Sequence, residues 1–122
     1  RCRPGRMDRE DTRQELLVEV VAAASRLREL GARGDLRRFT DDEVFRFALA
    51  YLWLRLAEPA CQLVTRRLVG EMSMAVWSGL CPIRNALAHE RDEDINYQRL
   101  WVNVPAAVEA SLGEADRLLA ST

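Results

Sequence analysis

The sequence predicts an all-α protein in which four to five helices pack as a bundle. Three observations predict this class. Apolar residues between positions 16 and 30 recur at the spacing of one helix face. A second stretch, from Val44 to Ala57, is apolar on every side and carries charge only at Arg46 and Arg55. No part of the sequence shows the regular alternation of apolar and polar residues that is typical of a half-buried strand.

The first helix is predicted to begin at Thr12. Thr12 and Glu15 have the spacing of a capping box, in which two side chains satisfy backbone groups at the start of a helix. Gly31 and Gly34 are expected to end this helix, because glycine readily adopts the backbone conformation that follows a helix. The apolar face between these limits would pack against the rest of the bundle.

The second predicted helix is the most apolar segment of the chain. A capping box from Thr40 to Glu43 is expected to open it. Because the helix is apolar on all sides, we expect one face to lie in the core and another to contact a second copy of the chain. A fully enclosed central helix is the alternative. Pro59 lies within the pattern and is expected to kink this helix, because proline removes a backbone donor and crowds the preceding turn.

The remaining helices are shorter or less clearly bounded. Residues 72–80 are expected to form a short helix or turn. Pro82 fits the first position of a helix that continues to His89, and Pro105 is expected to open the last helix. Between them, a further segment with apolar anchors begins near Ile95.

Composition indicates one globular domain. Of the 122 residues, 48% are hydrophobic and 30% are charged, and the charged fraction argues against a membrane protein. We expect residues 1–11 to form a flexible N-terminal segment and residues 12–122 to form a single domain. The net charge of -1 excludes a broadly basic surface for nucleic acid. Any contact with RNA would therefore come from a local cluster of arginines.

The cysteines favour a cytoplasmic protein. Cys2, Cys61 and Cys81 lie far apart, and no two of them form a C-x-x-C pair. An odd and dispersed set indicates reduced thiols rather than a disulfide framework or a zinc site. Because His89 is the only histidine, a His-rich metal site within one chain is excluded as well. We expect no metal and no cofactor.

The candidate functional pair is Arg84 and His89. Arginine offers a rigid positive fork to a phosphodiester, and imidazole exchanges protons near neutral pH. Residues five apart on an ideal helix are offset by roughly 140°. The two side chains would converge if the helix frays near His89, or if they meet across a symmetric dimer. The simpler interpretation pairs Arg84 with Glu58 or with an acid of residues 90–94, and bonds His89 to a nearby carbonyl or to Glu90.

Several short motifs follow one another in a specific order and spacing. They are F-T-D-D-E at 39–43, Glu58, Trp77, Arg84-Asn85, Leu87, His89-Glu90 and I-N-Y-Q-R-L-W at 95–101. In this order they resemble the HEPN-domain toxins of the HepT-like family, over nearly the whole chain from about Thr12 onward. The resemblance implies an HEPN-like helical bundle.

The resemblance also implies a function. It implies a metal-independent ribonuclease that cleaves RNA at the cleft of a homodimer, and a cognate minimal nucleotidyltransferase antitoxin as its partner. By position, Arg84 would contact the phosphate, His89 would be catalytic, and Asn85 and Glu90 would support them. A non-catalytic HEPN module that binds a nucleotidyltransferase or a nucleotide is the alternative.

One position departs from the family's pattern. The family commonly has a tyrosine two residues after the histidine, which the antitoxin can modify with AMP, whereas this chain has Arg91. Arg91 has no phenolic oxygen, so neutralisation is expected to use direct binding or modification at Tyr97 instead. Arg91 is in turn a candidate RNA contact.

Overall fold

The computed structural model describes residues 6–121, with the side chains of residues 8–121, and confirms the all-α class. Within this range the chain forms six α-helices and no strand. The helices are α1 (Arg6–Gly31), α2 (Leu36–Asp41), α3 (Glu43–Thr65), α4 (Glu71–Trp77), α5 (Leu80–His89) and α6 (Tyr97–Ala120), with a 3₁₀ helix at Asp92–Asp94 before α6. The six helices exceed the four to five predicted, mainly because α2 was not expected.

The core lies between the three longest helices. α1 packs against both α3 and α6, and α3 also carries α5 on another side. Leu17 and Leu27 of α1, Trp53 and Leu56 of α3, and Ala115 of α6 are inaccessible to solvent. Each large apolar side chain buried in this way contributes about 1.5–3 kcal/mol to folding. The resulting core is the base on which α5 rests.

The start of α1 differs from the prediction. The helix begins at Arg6, so Thr12 lies inside it and does not cap it. Residues 6–11, expected to be flexible, are therefore helical, and residues 1–5 of that segment lie outside the described residues. The predicted end at Gly31 is confirmed.

The start of α3 also differs from the prediction. Thr40 belongs to α2, where its hydroxyl donates to the Leu36 carbonyl oxygen at 2.8 Å. The residue that caps α3 is Asp42, whose Oδ1 accepts from the Phe45 backbone N–H at 3.1 Å. This hydrogen bond to the carboxylate lowers the pKa of Asp42. The second predicted helix is thus the third in the chain.

Three prolines are accommodated within helices. Pro59 lies inside α3, as predicted, at a position where proline bends a helix. Pro82 is the third residue of α5 rather than its first, because the helix begins at Leu80. Proline is tolerated there since the first backbone N–H groups of a helix have no intrahelical acceptor. Pro105 lies inside α6, so the predicted last helix and the segment before it form one continuous helix.

The two faces of α3 differ in exposure. Leu49, Trp53 and Leu56 are buried, whereas Phe47 and Tyr51 are exposed on the opposite face. A fully enclosed α3 is therefore wrong, and a core-facing side is confirmed. Contact of the exposed face with a second copy stays a prediction.

A disulfide joins Cys61 of α3 to Cys81 of α5, with their Cα atoms 5.1 Å apart. The prediction of reduced thiols is wrong for these two residues, and Cys2 lies outside the described residues. Packing of α5 on α3 brings together two cysteines that are 20 residues apart in the sequence. The cysteine-based argument for a cytoplasmic protein is thereby lost.

None of the helices in the described part of the chain combines the length and the apolar character needed to cross a membrane.

Candidate functional site

Helix α5 carries both predicted catalytic residues and lies at the edge of the bundle. Leu80 is its one buried residue among those described, and Ile83 and Leu87 are partly buried against the core. Its polar side, with Asn85 and His89, is exposed to solvent. The helix therefore packs on α3 through its apolar side and leaves its polar side accessible to solvent.

Arg84 is held by two polar neighbours. Its Nη1 lies 3.5 Å from Glu58 Oε1, and its Nε donates to Asn85 Oδ1 at 3.1 Å. Glu58 Oε1 also accepts from Gln62 Nε2 at 3.3 Å, which connects the pair to the next turn of α3. The predicted pairing of Arg84 with Glu58 is confirmed. About 30% of the Arg84 side chain remains exposed, so an anion can approach the guanidinium from solvent.

His89 is the last residue of α5 and is exposed. The helix closes regularly around it, because the Glu90 backbone N–H donates to the Ala86 carbonyl oxygen at 2.9 Å. Among the described residues, no hydrogen bond or ion pair holds the imidazole, so the predicted bond to a carbonyl or to Glu90 is not present. Fraying of the helix at His89 is likewise absent. Arg84 and His89 therefore point to different sides of one regular helix.

Arg91, the candidate RNA contact, is paired with neighbouring acids. Its Nε lies 3.5 Å from Glu93 Oε1 and 3.5 Å from Asp94 Oδ2. These acids belong to the 3₁₀ helix that follows α5. Because 77% of the Arg91 side chain is exposed, the pairing leaves its outer surface accessible. Its predicted role in binding RNA stays a prediction.

Tyr97, the candidate modification site, is the first residue of α6 and is partly buried. Its hydroxyl donates to Asp92 Oδ1 at 2.5 Å, and its ring meets that of Phe39 edge-on at 6.0 Å. Burial and the Asp92 carboxylate raise the pKa of Tyr97 to about 12, although the Arg46 charge opposes them. Phenol oxygens react as nucleophiles in the ionised form, so these contacts make Tyr97 a weak acceptor for a nucleotidyl group.

A cleft of about 540 Å³ separates α5 from the start of α6. Glu90, which is exposed, and Trp53 of α3, which is buried, both line it. The indole Nε1 of Trp53 is buried and has no hydrogen-bond partner among the described residues. The remaining lining residues are Gly79, Pro82, Ile83, Ala86, Leu87, Asp94, Ile95, Asn96, Arg99, Leu100 and Asn103. Neither Arg84 nor His89 lines this cleft.

Sequence reasoning missed both the cleft and the disulfide. The disulfide left one usable signal in the sequence. Cys61 follows Glu58 by three residues, and Cys81 precedes Arg84 by three residues. In two antiparallel helices, moving three residues forward along one helix matches moving three residues backward along the other. If Glu58 faces Arg84, Cys61 is therefore expected to face Cys81. The cleft left no comparable signal, because its walls come from three separate helices.

Comparisons of this chain with family models, curated proteins and solved structures find no match. The resemblance to HEPN toxins consequently depends on the short motifs described above. In the part of the chain that the structure describes, no group of three or more His, Cys, Asp or Glu side chains could hold a metal ion.

Proposed function

We propose that the protein is a metal-independent endoribonuclease that acts as a homodimer, and that it is the toxin of an HEPN/nucleotidyltransferase toxin–antitoxin pair. One observation carries the proposal. Helix α5 presents a guanidinium that two neighbours hold, at Arg84, and an exposed imidazole without a bonding partner among the described residues, at His89. The motif resemblance supports the same two residues.

The chemistry assigns a distinct role to each residue. Arg84 holds the scissile phosphate and stabilises the charge that develops on its oxygens, a task suited to a rigid donor fork. His89 accepts the proton of the ribose 2′-OH, whose oxygen attacks the phosphorus. A second imidazole donates a proton to the leaving 5′-oxygen. The products are a 2′,3′-cyclic phosphate and a 5′-hydroxyl, and DNA is spared because it lacks the attacking group.

The need for two proton carriers supports the homodimer. Each chain has a single histidine, so acid and base can both be imidazoles only if two copies contribute. The arrangement on α5 also supports the homodimer, because Arg84 and His89 diverge by roughly 140° on a regular helix. A site built around a two-fold axis would bring these groups from both copies to one phosphate.

Cleavage of labelled RNA by purified protein in excess EDTA tests the chemistry. We expect a 2′,3′-cyclic phosphate product and no cleavage of a strand with a 2′-deoxy sugar at the scissile position. His89→Ala and Arg84→Ala are each expected to reduce the rate by about 10²–10⁴-fold. Arg37→Ala, on the exposed surface of α2 and outside the cleft, is the matched control and should retain the wild-type rate. Complete inhibition by EDTA would contradict the metal-free mechanism.

Mixing wild-type and His89→Ala chains tests the shared site. If both imidazoles act at one phosphate, an equal mixture of freely exchanging chains should retain about a quarter of the wild-type activity. Independent protomers would retain about half. Retention of about half would contradict the shared site but not the ribonuclease activity.

A second candidate function is a non-catalytic helical module that binds a nucleotidyltransferase or a nucleotide. The ion pairs of Arg84 and Arg91 with carboxylates favour this module, because they largely neutralise the positive charge around His89. Growth of cells after induction distinguishes the two functions. Toxicity that is lost in folded Arg84→Ala and His89→Ala variants supports the ribonuclease, whereas equal behaviour of all three proteins supports the module.

A further inference from the structure

The Cys61–Cys81 disulfide lies one helical turn from the ion pair that holds Arg84. Cys61 follows Glu58 by three residues in α3, and Cys81 precedes Arg84 by three residues in α5. Both links therefore join the same two helices, one covalently and one electrostatically. Because the offsets have opposite sign, the two helices run antiparallel at this point.

Apart from these two links, α5 is held by its packing on α3. In the described part of the chain, α3 is the one helix with which α5 makes an extended contact. Leu80 is the single α5 residue in that part that is buried, and Ile83 and Leu87 are partly buried against the core. A segment that packs on a single neighbouring helix opens locally at a lower free-energy cost than one enclosed on several sides. The disulfide therefore adds a covalent link to the one extended helix contact that holds α5 in place.

The two sulfur-bearing residues differ in access. Cys61 is buried, whereas Cys81 is partly exposed. Thiol–disulfide exchange needs a thiolate to reach one sulfur of the bond. A reductant in solution would thus approach from the Cys81 side. A disulfide with access of this kind is a candidate for reversible reduction.

We propose that the Cys61–Cys81 disulfide is a redox-controlled clamp that fixes α5, and with it Arg84 and His89, in the arrangement needed for activity. The effector is a dithiol reductant. Its thiolate attacks the Cys81 sulfur, the disulfide bond breaks, and the electron pair leaves on the Cys61 sulfur, which takes up a proton. The second thiol of the reductant then displaces Cys81 as a thiol. Two electrons and two protons pass to the protein, and the reductant becomes a disulfide.

Reduction lowers activity by releasing α5. After reduction, α5 keeps its apolar packing on α3 and the ion pair between Arg84 and Glu58. That pair joins two partly exposed side chains, and exposed ion pairs hold a geometry weakly. Release of α5 moves the guanidinium and the imidazole relative to α3 and to a second copy. The effect on RNA cleavage rests on the function proposed above, whereas the effect on α5 does not.

Hydrogen exchange of the full-length protein tests the clamp directly. A Cys2→Ser background leaves only the two cysteines of the disulfide, and alkylation with mass spectrometry verifies their state. After complete reduction with dithiothreitol, we expect the amides of α5 to exchange at least about tenfold faster, with those of α1 unchanged. Reoxidation should restore protection. A Cys61→Ser/Cys81→Ser variant should show the fast α5 exchange without reduction, and dithiothreitol should not change it.

RNA cleavage measured on the same samples tests the regulation. We expect the rate to fall by about tenfold on reduction and to recover on reoxidation. Unchanged α5 exchange after complete reduction would overturn the clamp. A rise in α5 exchange without a change in an existing cleavage activity would overturn the regulation. Faster α5 exchange in a protein that cleaves no RNA in either state would support the clamp and refute the proposed ribonuclease.

Discussion

The contact between Tyr97 and Asp92 makes the strongest quantitative prediction about the candidate modification site. The pKa of Tyr97 is raised from 10.0 to about 12, first by burial and then by the hydrogen bond to Asp92 and its negative charge. A shift of this size reduces the phenolate fraction at neutral pH by about a hundredfold. Asp92→Asn removes the charge and weakens the hydrogen bond but leaves the burial. We expect it to lower the pKa of Tyr97 to between 10 and 12.

Alkaline titration followed by the ultraviolet absorbance of the phenolate measures this shift. A Tyr97→Phe variant identifies the contribution of Tyr97, because the difference between the two curves removes every other tyrosine. Glu93→Gln is the matched control, since Glu93 lies on the same 3₁₀ helix and pairs with Arg91 instead. An unchanged pKa in Asp92→Asn would refute the reasoning about the carboxylate. A shift of equal size in Glu93→Gln would show that the effect on the pKa of Tyr97 is not specific to Asp92.

The same contact makes stability depend on pH in a defined direction. The neutral phenol is favoured in the folded protein, so the pKa of Tyr97 is higher in the folded than in the unfolded state. Its contribution to stability is therefore complete below pH 10 and is lost as the pH rises from 10 towards 12. The difference in unfolding free energy between wild type and Tyr97→Phe should shrink across that range. An enzyme that modifies Tyr97 would have to remove its proton or displace Asp92.

Three further predictions concern stability, measured as the free energy of unfolding in urea. Serine at both positions of the disulfide should lower it by about 3 kcal/mol, from the entropy of closing a loop of 20 residues. Glu114→Gln should lower it by about 1 kcal/mol at neutral pH, with exposed Glu109→Gln as the control, because Glu114 is only 11% exposed and accepts from Arg117 and Ser73. These bonds lower the pKa of Glu114, so the difference should disappear as the pH falls below its ordinary value of 4.5. Phe39→Ala should cost about 3–5 kcal/mol, because Phe39 is buried against two aromatic rings of α6.

The long helices were predictable because their apolar spacing extends over several turns. The pattern of buried residues in α1 follows the predicted face, including Leu17, Val20 and Leu27. Helix starts were less predictable, because the residues of a capping box can also occur inside a helix, where they cap nothing. Thr12 and Thr40 match such patterns, yet each lies inside a helix that starts earlier.

The packing of α5 on α3 depends on information that local patterns do not contain. Glu58 could be named as one of several partners for Arg84, because opposite charges were available on a neighbouring helix. The antiparallel alignment that selects Glu58 follows from the turn around α4, and the disulfide follows from the same alignment. Helical spacing can be read from neighbouring residues. A contact between distant segments can be predicted only if the path of the chain between them is known.

The ion pairs of the candidate site do not prevent it from binding a phosphate. Arg84 and Glu58 are 30% and 42% exposed, and pairs in such positions stabilise a protein by about 0–1 kcal/mol. A phosphate can form two parallel hydrogen bonds with a guanidinium, which is a stronger contact than a single approach at 3.5 Å. In the proposed ribonuclease, an RNA phosphate would therefore replace Glu58 at little cost. In the free protein, the Glu58 carboxylate keeps the guanidinium on the side of α5 that adjoins α3.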